Sequence, residues 1–395
     1  MIYSNRNKTK ERCFLLEYSG FAIRKERLEK NWSQEGLCRG ICAVSYLSKI
    51  EQGKTEASGE IITALFERLG IEWISDKEVL LQGEKFVEDW YEAAFSSDWD
   101  EYLYLSEKFD KEYAFLENSC FGIDVMILKN FGGEEVRKVD ERLEVCMDSR
   151  QLALQKLFGG DFSAAIKLYP CSYMFYRAGV SDYEKGNNSA ALENLQKAYD
   201  LASQEGRARI MMLAKFFITN CYSNMCDMDS MERHGKIAKR LARELGENGF
   251  VETYDYNFAA TKIETGDYSG AYDYFSKLTE PSAPSLHKLA VCCEKLGKRE
   301  EAFAAIEKEK NAKAEDTIFK IFADEACELI KFRLLNEDYL SNPDYGKMLL
   351  DFFDRCRKKM PIGYAKFHLP WVLEWYTANR QYKQAFEFLN NFPEK

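Results

Sequence analysis

Two short stretches near the amino terminus decide how this chain begins to fold. They read Asn31-Trp32-Ser33-Gln34-Glu35-Gly36-Leu37 and Val44-Ser45-Tyr46-Leu47-Ser48-Lys49-Ile50-Glu51. In the first stretch, Ser33 can cap a helix, while Trp32 and Leu37 occupy the two positions of a hydrophobic staple. In the second stretch, Leu47 and Ile50 are three residues apart and face inward on one side of a helix. Each stretch therefore predicts a short helix.

The segments around these two helices complete a small bundle. Residues 21–28 alternate apolar and basic side chains at helical spacing, and residues 59–69 predict a further helix that stops at Gly70. Gly53 ends the second quoted helix as a left-handed cap, and a tight turn around Gly40 separates the two quoted helices. This order predicts a helix-turn-helix, in which the later helix enters the major groove of DNA.

The spacing of these residues resembles the phage-repressor (Xre/Cro-type) DNA-binding domain over roughly residues 19–72. The resemblance implies that Arg27 and Glu51 form a structural ion pair between the first helix and the recognition helix. It also implies contacts with double-stranded DNA from Ser33, Gln34, Val44, Ser45, Ser48, Lys49 and Lys54. A helix start suits phosphate contacts, and an outward Lys or Val can meet a guanine or a thymine methyl group. The plain alternative for these residues is a solvated helix face.

One residue departs from the pattern of that family. Cys42 stands in the turn where the family usually has Gly. The turn is therefore expected either to avoid a left-handed conformation at Cys42 or to carry strain of about 1–2 kcal/mol.

The distribution of charge also points to the amino terminus. Residues 1–54 hold eleven Lys and Arg against six Asp and Glu, a net charge of +5, although the whole chain of 395 residues carries −10. The remaining residues therefore carry −15. An acidic protein with one basic end fits a small module that meets a polyanion while the rest is repelled from it.

Several other function classes have little support in the composition. The three His are far apart, and none of the twelve Cys forms the C-x-x-C spacing of a zinc or redox motif. We therefore expect no catalytic site, no metal and no cofactor, and the chain is not expected to be an enzyme. No apolar stretch approaches the roughly 18 to 20 residues of a membrane span, and the polar start lacks a signal-peptide core. We expect a cytoplasmic protein.

The long carboxyl-terminal part contains internal repeats. A small residue is followed seven positions later by a turn residue and five positions further by another small residue. Three copies are clear: Gly179/Gly186/Ala191, Ala259/Gly266/Ala271 and Ala290/Gly297/Ala302. Weaker copies include Gly160 to Ala165 and Gln381 to Leu389. This signature resembles the tetratricopeptide repeat, a helical pair of about 34 residues that stacks into a superhelix with a concave binding face.

A repressor-like head followed by degenerate tetratricopeptide repeats resembles the peptide-pheromone regulators of Gram-positive bacteria, the RRNPP family. We expect an all-α fold, with residues 1–74 as the helix-turn-helix domain and 75–395 as the ligand-binding and dimerisation domain. The resemblance implies a homodimeric, quorum-sensing transcription factor controlled by a short peptide. The alternative is an interaction or sequestration protein whose helix-turn-helix bundle no longer reads DNA.

The peptide site is expected on the inner face of the repeats. Aligning the repeats on Gly179, Thr219 and Ala259 places one set of polar side chains there: Arg177, Asn220, Asn224, Tyr256 and Asn257. An Asn amide both donates and accepts hydrogen bonds, so it can pair with the backbone of an extended peptide. The alternatives are that Asn224 caps a helix and that Arg177 pairs with a nearby carboxylate.

Overall fold

The computed structural model describes residues 17–55, 57–72, 74, 76–132, 144, 147–312 and 317–390. Its helices are α-helices with short π and 3-10 turns, and these residues contain no β-strand. None of the helices described is both long and apolar enough to cross a membrane. The chain divides into two compact units, residues 1–175 and 176–395. The predicted fold class, an all-α helix-turn-helix bundle followed by helical repeats, is confirmed.

The first unit begins with the helix-turn-helix bundle. Its four helices are α1 (Glu17–Glu29), α2 (Gln34–Cys38), α3 (Val44–Ile50) and α4 (Gly59–Leu69). One apolar core joins all four, and Ile23, Leu37, Leu47 and Leu65 are fully buried in it. Gly20 lets α1 approach α3 closely, because a Cβ at that position would overlap the main-chain carbonyl of Ile50. The bundle therefore holds α3 by its apolar side.

The turn before α3 resolves the question raised by Cys42. Gly40 takes the left-handed conformation, with φ of 75°, and Cys42 is absent from the residues with positive φ. The left-handed residue of the turn thus comes two positions earlier than expected, on a glycine that adopts it without a steric penalty. Cys42 carries no left-handed strain.

The rest of the first unit is a second helical cluster with an aromatic core. Its helices are α5 (Lys77–Phe95), α6 (Trp99–Lys108), α7 (Gly122–Leu128), α8 (Ser149–Phe158) and α9 (Phe162–Leu168). Trp90 is fully buried and stacks on Phe109, and Tyr102 donates a hydrogen bond to the carbonyl of Leu128. The helix α10 (Ser172–Glu184) crosses the division between the two units.

The second unit continues as antiparallel helical pairs. Its further helices are α11 (Asn188–Glu205), α12 (Ala208–Asn224), α13 (Met228–Glu244), α14 (Asn248–Glu264), α15 (Tyr268–Phe275), α16 (Ala283–Lys295), α17 (Arg299–Lys310), α18 (Thr317–Leu335), α19 (Pro343–Lys359), α20 (Ile362–Ala378) and α21 (Tyr382–Asn390).

The turn residues of the repeat signature adopt the left-handed conformation between the two helices of a pair. Gly186, Gly266 and Gly297 all have positive φ and separate the two helices of a pair. Between α12 and α13 the same conformation falls on Cys226, with φ of 56°. Helices also touch where the small residues stand, since a Cβ on Gly179 would overlap the side chain of Leu195.

Candidate nucleic-acid interface and repeat groove

The helix α3 presents an outward row of side chains that the core does not use. Leu47 and Ile50 are buried, at 0% and 2% exposure, and fix the helix to the bundle. Val44 is 42% exposed, and Ser45 and Lys49 are also exposed. The outward row therefore contains one apolar, one hydroxyl and one cationic side chain, which suits contacts with base edges in a major groove.

A buried ion pair ties α1 to the end of α3. The guanidinium of Arg27 donates to the two carboxylate oxygens of Glu51, with Nε to Oε1 at 2.6 Å and Nη2 to Oε2 at 2.7 Å. Its remaining nitrogen Nη1 donates to the carbonyl of Trp32 at 2.9 Å. Arg27 is 7% exposed and Glu51 is 1% exposed. The Arg27 side chain thus connects α1, the end of α3 and the segment before α2.

The start of α2 is joined to the same network. Ser33 caps the helix, with its hydroxyl oxygen accepting from the backbone N–H of Gly36 at 3.0 Å. Gln34 donates from its side-chain amide to Glu51 at 2.8 Å. The Ser33 hydroxyl hydrogen can still donate to a phosphate. The structure therefore gives Gln34 a positioning contact that its spacing alone did not suggest.

The other two predicted DNA contacts lie at the carboxyl-terminal end of α3. Ser48 is partly buried and accepts a hydrogen bond from Gln52 at 3.2 Å. Lys54 is exposed just beyond the helix, and its backbone N–H donates to the carbonyl of Lys49 at 2.9 Å. Lys54 thus holds a fixed backbone position from which its side chain can reach a phosphate.

Sequence reasoning missed two arginines beside this surface. A recess of about 540 Å³ is lined by Asn31, Trp32, Ser33, Gly36, Arg39 and Arg68. Arg68 on α4 donates to the carbonyls of Leu37 and Arg39, so its charge is fixed next to the end of α2. The hydrogen bond from Arg68 to Leu37 joins residues 31 positions apart in the chain. No local spacing in the sequence predicts such a contact.

In the repeats, the predicted Asn side chains pair between neighbouring helical pairs. Asn257 on α14 donates from its amide to the side-chain oxygen of Asn220 on α12 at 3.2 Å. Asn224 donates to Asn188 on α11 at 3.3 Å, a partner that the sequence had not indicated. Tyr256 is partly buried against Phe275, with ring centroids 5.7 Å apart. Four of the five predicted residues therefore fall on α12 and α14, and Arg177 lies on α10.

The helix α20 contacts the end of α12. The Nζ of Lys366 donates to the carbonyl of Asn224, a contact between residues 142 apart in the chain. Lys288 on α16 is 3% exposed, and its ammonium lies over the ring of Phe367 on α20. The repeats of the second unit therefore curve enough to bring α20 to the end of α12. We use "groove" for the set of polar residues Asn220, Asn224, Asn257, Glu264 and Lys366, of which Asn220 is buried at 8% exposure.

Charge inside the groove is mixed. Glu264 reaches solvent, yet the protein around it raises the pKa of its carboxyl, and the cations of Lys366 and Lys288 oppose that rise. Burial lowers the pKa of Lys288 to about 7, although Glu264 acts in the opposite direction. Cys226 also lies near, with Sγ 3.9 Å from the Glu264 carboxylate. The groove therefore carries both a carboxylate, on Glu264, and an ammonium group, on Lys366.

Two histidines form a buried pair behind the groove. His287 on α16 and His368 on α20 are both 0% exposed, and their Nε2 atoms are 3.4 Å apart. His368 Nδ1 is 2.9 Å from the carbonyl of Tyr364, which assigns its proton to Nδ1 and leaves Nε2 to accept from His287. Burial lowers the pKa of both rings, and Lys288 adds to this. The pair is neutral at pH 7.

Within the described residues, no group of three or more His, Cys, Asp or Glu side chains is arranged to hold a metal ion.

Comparisons with known proteins support the two parts separately. Residues 23–74 match the helix-turn-helix family. No curated protein matches the sequence. Among solved structures, the chain is similar to a Rap protein complexed with competence and sporulation factor, with a TM-score of 0.50, 17% identity, and coverage of 80% of this chain and 97% of that chain. It is also similar to aspartyl phosphate phosphatase F from Bacillus subtilis, with a TM-score of 0.47, 16% identity, and coverage of 82% and 94%. The chain therefore carries an Xre-type helix-turn-helix domain ahead of helical repeats, and it shares its fold with a Rap protein.

Proposed function

We propose that this chain is a DNA-binding transcriptional regulator of the RRNPP type, controlled by a short peptide in the groove of its repeats. The observation that carries the proposal is the outward row on α3. Val44, Ser45 and Lys49 are exposed on a helix whose position is fixed by the buried Arg27–Glu51 pair. An exposed row on a helix with a fixed position suits contacts with base edges in a major groove.

The charge distribution supports DNA as the partner of the head. The surplus of +5 in residues 1–54 stands against −15 in the rest of the chain. Neutralising DNA phosphates with Lys and Arg releases counterions, so binding through this segment should weaken steeply as salt rises. We expect Lys54, Arg39 and Arg68 to add phosphate contacts around the outward row on α3.

The amide pairs support an extended peptide as the partner of the groove. Asn220 and Asn257 each use one polar atom on the other, and an Asn side chain can make up to four hydrogen bonds. The spare donors and acceptors can pair with the N–H and C=O groups of a peptide backbone. The solved structure of a Rap protein bound to competence and sporulation factor provides a precedent for ligand binding by this fold.

The small size of the helix-turn-helix head favours a homodimer. One helix-turn-helix reads only a half-site, so two copies should read an inverted repeat with half-sites about 34–36 Å apart or a multiple of that distance.

The test is fluorescence anisotropy of labelled duplex DNA with the full-length protein, at low and at raised salt. We expect tight binding that falls as salt rises, and a change in DNA affinity when a pool of short synthetic peptides contains a binder. Absence of DNA binding at low salt would contradict the regulator. Peptide binding without any DNA binding would instead support the sequestration protein.

A further inference from the structure

The helix α13 carries a line of exposed cations on its outer face. Four exposed side chains lie three or four residues apart on this face: Arg233, Lys236, Arg240 and Arg243. Asp229 precedes them in the first turn of the helix. The opposite side of the helix is buried and consists mainly of small residues: Met231, Gly235, Ala238 and Ala242. We call the four cations the basic stripe.

The same positions on neighbouring repeats carry no cation. Arg233 and Lys236 are the sixth and ninth residues counted from the start of α13. The sixth and ninth residues counted from the starts of α11, α15 and α17 are acidic or uncharged: Glu193, Gln196, Asp273, Ser276, Ala304 and Glu307. The repeat fold therefore does not require cations at these positions, and among the four helices the stripe belongs to α13.

Much of the charge on the stripe is not neutralised by carboxylates. Lys236 pairs with Glu232 at 2.8 Å, and Arg233 donates to a neighbouring serine hydroxyl at 3.0 Å. Arg240 and Arg243 form no ion pair with any residue that the structure describes. The negative end of the helix dipole favours cations in the last turn of α13, but it does not account for Arg233 and Lys236.

A buried cation lies next to the stripe. Lys215 on α12 is 4% exposed, and its ammonium meets the side-chain oxygen of Gln196 at 3.1 Å and the ring of Tyr199 at 4.1 Å. Its Nζ is 3.4 Å from Nδ1 of His234 on α13. Burial lowers the pKa of His234 to about 4, and the charges of Lys215 and Arg233 add to that effect. The surface around α13 therefore has an excess of positive charge.

The chemistry of the stripe favours DNA over a protein as its partner. The centre of a protein–protein interface is rich in apolar and aromatic side chains, whereas protein–DNA interfaces are more polar and much more positively charged. None of the large apolar side chains exposed in the described parts of the chain lies on α11, α13 or α15. Three of the four cations are arginines, whose planar guanidinium groups match the geometry of phosphate.

The length of the stripe also suits a duplex. Its ten-residue span of helix extends over about 15 Å, because each residue adds about 1.5 Å. Duplex DNA carries one negative charge for about every 1.7 Å of its axis. Several phosphates of one duplex can therefore lie along the stripe.

We propose that the basic stripe is a second DNA-binding surface, which contacts the phosphates of a duplex. This inference deepens the proposed function and rests on it, because DNA is the polyanion that the helix-turn-helix is proposed to bind. Contacts with phosphates carry no sequence information, so the stripe adds affinity and leaves the choice of sequence to α3. It lies in the part of the chain with a net charge of −15, where DNA would otherwise be repelled.

Fluorescence anisotropy of the full-length protein, on a duplex several times longer than the spacing of half-sites, tests the proposal. The logarithm of affinity is measured against the logarithm of salt concentration for the wild type and for the double variant Arg240→Ala/Arg243→Ala. Each phosphate contact contributes about 0.9 to the slope, so the double variant should reduce the slope by about two. The ratio of affinities for two duplexes of different sequence should stay unchanged, because α3 is intact.

Further variants control for net charge and for folding. Arg240→Lys/Arg243→Lys keeps both charges and should keep the wild-type slope. Lys383→Ala on α21 removes a cation that lies outside the stripe and whose side chain is 84% exposed, and it should also keep the slope. Thermal melts of all variants should coincide, since the exchanged side chains are exposed.

A double variant with the same salt slope as the wild type would overturn the proposal and would leave an acidic protein as the partner of the stripe. An equal loss of slope in Lys383→Ala would also overturn it, because the effect would then be one of net charge. A wild type that binds no DNA at low salt would overturn the stripe together with the proposed function. The failures are distinguishable, because the first two require DNA binding by the wild type and the third is its absence.

Discussion

The guanidinium of Arg27 and the carboxylate of Glu51 form a two-pronged ion pair, with hydrogen bonds of 2.6 and 2.7 Å, in the core between α1 and α3. Because Gln34 donates to the same carboxylate, the pair sets the positions of three helices at once. The pair therefore acts together with the buried Leu47 and Ile50 to orient the outward row on α3.

The first prediction concerns this pair. Arg27→Ala removes the charge that compensates a buried carboxylate, so we expect the bundle to lose about 3–5 kcal/mol of local stability. Hydrogen exchange of the amides in α1 to α4, measured in the full-length protein, should become much faster. Arg39→Ala is the control, because Arg39 meets Glu35 at 3.8 Å with both side chains largely exposed, and such surface pairs contribute little. Equal exchange rates in wild type and Arg27→Ala would show that the pair is unimportant.

The second prediction separates base reading from phosphate contact. Lys49→Ala should lower the discrimination between operator and altered sequences by about 1–3 kcal/mol, because Lys49 lies in the outward row. Lys54→Ala should weaken binding to all sequences alike and reduce the slope of affinity against salt by about one. Affinities measured on matched and mismatched duplexes check both. Full specificity in Lys49→Ala would remove it from the base-reading residues.

The third prediction concerns the groove. Asn220→Ala and Asn257→Ala should each weaken binding of a peptide selected from a synthetic pool, by about 0.5–1.5 kcal/mol for each hydrogen bond lost. Calorimetry gives the affinities, and thermal melts check that the fold is intact. Asn311→Ala serves as the control, since its amide donates to Glu307 on the exposed end of α17. Unchanged affinity in both groove variants would place the ligand elsewhere.

The fourth prediction concerns pH. Burial lowers the pKa of His287 and His368 below the ordinary value of about 6.5, so both rings take up protons more readily when the chain unfolds. The stabilisation of the folded state by the two neutral rings is therefore complete above pH 6.5, and it is lost as the pH falls below that value. The free-energy cost of His287→Gln should therefore be smaller at pH 5.5 than at pH 7.5 by about 1.4 kcal/mol. Denaturant unfolding at the two pH values measures this, and an equal cost at both would contradict a neutral buried pair.

The comparison of variant with wild type is needed because other groups oppose this pH dependence. The pKa of Glu309 is raised to about 7, chiefly by burial and by the nearby Asp324. In the unfolded chain this carboxyl releases its proton at lower pH, so its contribution to stability falls as the pH rises. A pH profile of the wild type alone would mix the two effects.

Local sequence predicted the head in detail and the groove only in outline. Ser33 caps α2, and Leu47, Ile50 and Gly53 lie in α3 or just beyond its end, so the spacing within each short helix determines their environment. Lys366 and Asn224, by contrast, meet only because several degenerate repeats curve by amounts that no single spacing specifies. The same reason hid the buried His287–His368 pair, whose members are 81 residues apart and separately resemble surface residues.

The peptide site and the domain limits remain predictions. The expected boundary at residue 74 follows the helix-turn-helix motif, whereas the structure divides into units at residue 175, within α10. A sequence motif shows where the helix-turn-helix segment ends. The boundary of a compact unit depends instead on which helices pack together. The aromatic cluster around Trp90 lies in the first unit although its sequence follows the motif.

The central claim is that the outward row on α3 reads DNA, and selection from a pool of random-sequence duplexes tests it most directly. Full-length protein should enrich an inverted repeat, and Lys49→Ala should enrich the same repeat with one half-site position relaxed. Lys54→Ala should retain the wild-type sequence at lower yield. Sequencing of the bound pool that returns no enriched motif with the wild type at low salt would contradict the claim.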